Sequence, residues 1–158
     1  MNSLSLALAH TEELRDALAA EGLAAESERV WIRTIDVDEL NLRAVKRGDF
    51  NRRIARMQEE LATILREVAG DLGVPAVTLD ALHGTGLPEG RRLAALLQET
   101  RTLAVALSQL DQINRLLGQR ALSYVRAHLA VICPKPSAYD RRGSGAPDPR
   151  TSTVRRVL

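Results

Sequence analysis

The chain has 158 residues, 45% of them apolar, and a formal net charge of +2. That is enough for one domain with a real apolar core, and it excludes a chain that is disordered throughout. Only 3% is aromatic (Trp31, Phe50, Tyr124 and Tyr139) while Leu, Ala, Arg and Glu dominate, a balance that argues against sandwiches and compact α/β cores and for long helices or coiled coils.

The segment Met1–Leu14 has a short apolar patch, but it lacks a basic start and runs at once into Glu12 and Glu13, so it does not read as a signal peptide. No stretch approaches the roughly 18 unbroken apolar residues of a membrane span, and stable membrane insertion is not expected. Leu4, Leu8, Leu14, Leu18, Leu23, Val30 and Trp31 mark a first helical segment. Its periodicity slips near Gly22 and again around Ile35–Asp38. Asp36 with Glu39 resembles a capping arrangement, which predicts a kink or short break there. Phe50, Ile54, Met57, Leu61, Ile64 and Val68 form a heptad-like stripe flanked by Leu65 and Leu72, and Gly48-Asp49 is either an interruption or a costly glycine inside a helix. Gly70, Gly73 and Pro75 supply the stop.

Thr78 can cap a short turn over Leu79–His83, followed by a loop through Gly86. From 89 to 133 there is no proline, and Leu93, Leu96, Thr100, Leu103, Leu107, Leu110, Asn114, Leu117, Ala121, Tyr124, His128 and Val131 alternate three- and four-residue steps. Leu97, Ala104, Val125 and Ile132 widen that seam into a face able to pack against two neighbours. Asn114 at a seam position is either a register-setting polar residue or an amide at the edge of the core.

The fold expectation is therefore all-α: an elongated antiparallel bundle or coiled coil of about three main helices, with a body over 1–133 and a disordered basic tail over 134–158. The tail carries Lys135, Arg141, Arg142, Arg150, Arg155 and Arg156 against Asp140 and Asp148, or +4, which leaves −2 on the body. The net positive charge thus belongs to the tail and does not describe a nucleic-acid-binding surface. Such a tail could fold on binding a partner, and Tyr139, with no core to join, reads as a docking residue.

Catalytic chemistry is not legible. His10, His83 and His128 lie far apart with no Cys or carboxylate at ligand spacing, and no Glu-x-x-His pair suggests a di-iron bundle. His128 sits in Ala-His-Leu-Ala without the adjacent Lys-Gly that would hold a phosphoryl group. Gly84, Gly86 and Gly90 follow no strand and lack the Gly-Lys-Ser/Thr ending of a phosphate loop. Cys133 is the sole cysteine, which suits a reducing compartment. No catalytic residue, metal, cofactor or nucleic-acid partner is expected.

The order of parts is a helical first half, a Gly/Pro break, a long helix with Leu110-Asp111-Gln112-Ile113-Asn114-Arg115-Leu116-Leu117, then Tyr139-Asp140-Arg141-Arg142-Gly143. This resembles the FlgN family of flagellar type III export chaperones. The resemblance implies a cytoplasmic, non-enzymatic protein that binds the hook–filament junction proteins FlgK and FlgL, prevents their premature assembly and hands them to the export gate protein FlhA. It places Leu110, Asn114, Leu117, Leu122, Val125, Leu129 and Ile132 in a cargo-binding half, and Tyr139 at export-gate docking. The chain departs from the family pattern at Asp111, where members often carry a second Asn, and Gly118 and His128 are unusual in so long a helix. Another coiled-coil adaptor or secretion chaperone, or less readily a phosphotransfer bundle, is the alternative reading.

Overall fold

The computed structural model describes residues 2–133, and among these the chain is helical with short connections and no strand. The helices are α1 (Ser3–Thr34), α2 (Val37–Leu72), α3 (Leu79–Gly84) and α4 (Pro88–Ile132). The chain divides into two compact units at Ala121/Leu122. In the first, α1, α2 and the greater part of α4 form a three-helix bundle closed at one end by α3. The proposed tail, Tyr139 included, lies outside the described residues.

The breaks fall where local chemistry demands them. Ile35 adopts the left-handed conformation (φ 55°), and Asp36 then caps α2 by accepting from the Glu39 amide at 3.2 Å. The break expected around Ile35–Asp38 is thus a two-residue hinge between antiparallel helices. Gly22 and Gly48 interrupt nothing. Gly73 ends α2 with φ 67°, its N–H returning to the Gly70 carbonyl, while the Val74 N–H reaches the Ala69 carbonyl. Thr78 caps α3 through the Ala81 amide at 3.1 Å. Pro88 begins α4 at the one helical position where its missing N–H costs nothing. Gly90 is required by packing: a Cβ there would meet the Leu82 carbonyl at 2.7 Å and Thr85 Oγ1 at 2.5 Å, so the first turn of α4 lies directly on the end of α3.

Two apolar clusters fill the bundle. Next to α3, Leu4, Ala7 and Leu8 meet Ile64, Val68, Leu82, Leu93, Ala94 and Leu96. Further along, Leu14, Leu18 and Ala25 meet Ile54, Met57, Leu61 and Leu107. Burying one such Leu contributes about 1.5–3 kcal/mol. The buried hydroxyls of Thr11 and Thr100 return to the carbonyls of Ala7 and Leu96 in their own helices, which settles their hydrogen bonding without a partner.

Beyond the second cluster the seam turns polar while keeping its spacing. In α1 the buried positions run Leu14, Leu18, Glu21, Ala25 and Ile32, so the heptad continues through a glutamate. Leu23 and Val30, which mark the segment as apolar in sequence, are exposed. In α2 the stripe of Ile54 and Phe50 extends back through Arg47 to Arg43, which is buried. Glu21 Oε1 accepts from Arg43 Nη2 at 2.5 Å and from Arg47 Nη1 at 2.6 Å. Arg47 Nη2 also donates to Asp111 of α4, and its guanidinium lies 5.5 Å from the Phe50 ring centroid. Arg43 Nε, which makes no hydrogen bond, lies 3.4 Å from Glu28 Oε2. Burial by itself would lower the Arg43 pKa, but the hydrogen bond and charge of Glu21, joined by Glu28, outweigh it and hold the pKa above its ordinary value.

Removing one partner of a buried ion cluster strands the others, at about 3–5 kcal/mol. Glu21→Ala is therefore expected to lower unfolding stability by about that amount, whereas Glu26→Ala, exposed on the same helix, should stay within about 0.5 kcal/mol. Urea denaturation followed by circular dichroism measures both, and equal midpoints would mean that Glu21 does not hold the bundle.

Candidate cargo-binding helix

The candidate site lies on α4, and the seven residues expected to carry it fall in two different settings. Leu110 is half-buried and packs on the second apolar cluster. Asn114 is only 4% exposed. Its Nδ2 donates to the Ala25 carbonyl at 2.7 Å, and its Oδ1 accepts from Arg29 Nε at 3.1 Å. Both ends of the amide are thus engaged with α1, and Asn114 acts as a register pin inside the bundle. Leu117 is half-buried.

Within Leu122–Cys133, described as part of the second unit, the apolar side chains face water. Leu122 is 49%, Leu129 54% and Ile132 74% exposed, with Val125 half-buried. Their three- and four-residue spacing places all four on one stripe of the helix. A neighbouring stripe carries Tyr124, His128 and Val131, all exposed. The Tyr124 and His128 rings meet edge to face, with centroids 4.2 Å apart and planes at 79°. Heptad spacing had placed these three with the buried seam. The spacing holds, but no described residue of α4 beyond Asn114 is buried, and beyond Ala121 only Val125 is even half-buried.

The departures from the family pattern acquire physical meaning here. Asp111 is the carboxylate that accepts from Arg47 and so ties α4 to α2. A neutral Asn there could still accept from Arg47 but would leave it Glu21 as its only carboxylate. Gly118 is not needed by the packing, since a Cβ added to it would meet nothing within 4 Å. Among the described residues, no three His, Cys, Asp or Glu side chains are grouped to hold a metal ion, and no helix is long and apolar enough to cross a membrane.

A family model described as FlgN protein matches residues 7–146, which takes in the bundle, the exposed end of α4 and the segment containing Tyr139. The chain belongs to the FlgN family. FlgN proteins are flagellar export chaperones, and they act by binding flagellar proteins. No curated protein and no solved structure matches the chain.

Gly118 weakens α4 just before the exposed segment. Replacing a helix-interior glycine with alanine gains up to about 1 kcal/mol where space allows. Gly118→Ala should therefore raise the free protein's thermal midpoint and slow amide exchange around residues 115–125. A lowered midpoint would show that the glycine serves a close approach.

Proposed function

We propose that this FlgN-family chain is a cytoplasmic chaperone of the hook–filament junction proteins FlgK and FlgL, which it keeps unassembled and hands to the export gate protein FlhA. The observation that carries this reading is the exposed stripe of Leu122, Val125, Leu129 and Ile132 on a helix whose upstream part is already anchored in a core. Junction proteins assemble through amphipathic helical ends, which need an apolar partner while they wait in solution. Leu117 extends the cargo surface toward the bundle, while Leu110 and Asn114 support it by holding α4 in register.

Delivery is assigned to a different part of the chain. Tyr139 follows Pro134 and Pro136 in the sequence, outside the described helix. Its ring and hydroxyl offer a partner pocket both apolar area and a hydrogen bond, and this is the proposed contact with the export gate.

Two variants divide these roles. Leu129→Asp places a charge on the exposed stripe without touching the core and is expected to weaken FlgK or FlgL binding at least about tenfold, with helicity retained. Unchanged affinity by isothermal titration would remove Leu129 from the cargo surface. Tyr139→Ala is expected to leave cargo affinity within about threefold while reducing FlhA binding and junction-protein secretion. Loss of cargo binding with FlhA binding intact would reverse the assignment.

A further inference from the structure

The second half of α4 is charged in one sense only. From Gln112 through Cys133 there is no Asp or Glu, while Arg115, Arg120 and Arg126 occur at intervals. All three are exposed, and among the described residues none has an ion-pair partner. Elsewhere on these helices Arg15, Arg43, Arg47, Arg52, Arg53 and Arg92 each meet a carboxylate, while Arg29, Arg33, Arg56, Arg66, Arg91 and Arg101 meet none among the described residues. What sets the second half of α4 apart is that it contains no acidic residue to balance its arginines. Helical geometry places the free arginines at the edges of the apolar surface. Arg115 and Arg126 are eleven residues apart, close to three full turns, so they share one edge beside Leu122 and Leu129. Arg120 lies beyond the stripe of Tyr124 and Val131, at the other edge. The apolar surface between these edges covers about half of the helix circumference.

We infer that the occupant of this surface is an amphipathic helix of the cargo whose apolar stripe is bordered by Asp and Glu. The inference rests on the reading of α4 as the cargo seat and adds the chemistry that selects the cargo. Charge complementarity separates the candidate occupants. A second copy of the chain would bring the same three arginines against their own kind. The chain's own 134–158 segment carries +4 and is repelled by them as well. An acid-bordered helix matches both features at once, its apolar side chains meeting Leu122, Val125, Leu129 and Ile132 and its carboxylates meeting the edges. Edge charges of this kind govern choice of partner and rate of encounter more than raw affinity, which suits a chaperone that must later let go.

The test uses the full-length protein and two synthetic helical peptides with the same Leu/Ile stripe, one bordered by Glu and the other by Lys. Fluorescence anisotropy at 50 mM and 500 mM NaCl gives the affinities. The expected result is about a tenfold preference for the Glu-bordered peptide at low salt, reduced to about threefold or less at high salt as the charges are screened. Arg120→Glu with Arg126→Glu should invert the preference while leaving the circular dichroism spectrum unchanged. Equal binding of both peptides, with both lost in Leu129→Asp, would overturn the charge inference and leave the apolar seat standing. Binding of the Glu-bordered peptide that is indifferent to Leu129→Asp would overturn the seat itself.

Discussion

Glu21 joins two arginines of α2, and one of these, Arg47, carries the connection on to Asp111 of α4. Four residues along α1 from Glu21, Ala25 receives the side chain of Asn114. Together these contacts form a polar layer through the bundle that couples all three long helices at defined positions. Apolar heptads tolerate sliding by whole turns, because one Leu packs much like the next. A carboxylate that must meet two guanidinium groups, and an amide that must meet one particular carbonyl, do not. The layer therefore fixes which residues of α4 end up covered and which remain on the exposed stretch. Register is the best-attested use of buried polar groups, and in this chain register determines which side chains are left exposed.

The same helix consequently has two settings within one repeating pattern. From Leu93 to Asn114 its seam contributes to the core, and from Leu122 onward the spacing continues with the side chains exposed. That continuity explains how much could be read in advance. The hinge at Asp36, the stop at Gly73, the cap at Thr78 and the extent of α4 each follow from the chemistry of one or two residues, and each was legible. The exposed end was not, because heptad spacing gives the direction of a side chain and says nothing about whether a neighbour is present.

The inner face in the middle of α1 was not legible for a different reason. Leu23 and Val30 mark the segment as helical by their hydrophobicity, whereas the inner positions hold Glu21 and Ala25, a charge and a small side chain. A reading by apolar content cannot place a buried glutamate. Strict alternation of three and four from Leu14 and Leu18 would have reached Glu21 and Ala25, and the same steps back from Phe50 would have reached Arg47 and Arg43. Opposite charges at the two sets of inner positions were the available signal. Asn114 was legible as a polar seam residue, but its partners, Ala25 and Arg29, lie far away in sequence, so spacing alone could not distinguish a pin from a cargo contact.

How an exposed helical end persists without a partner follows from helix–coil physics. An isolated segment as short as Leu122–Ile132 would scarcely form in water, because nucleating a helix fixes several residues for a single hydrogen bond. In α4 the nucleus already exists upstream, where Leu93, Leu96 and Leu107 are locked into the core, so each further residue needs only propagation. Gly118 lies on that path and makes propagation less favourable locally. The end of α4 is thereby helical but held with little reserve, and on the proposed reading a cargo helix would meet a preformed stripe and spend little of its binding energy on ordering it. A fully rigid end would gain affinity and slow release, while a melted one would have to fold at every encounter. Anchoring by the buried layer, followed by a glycine and then an uncovered stripe, places this helix between those extremes, where a chaperone that binds and then releases its cargo has to work.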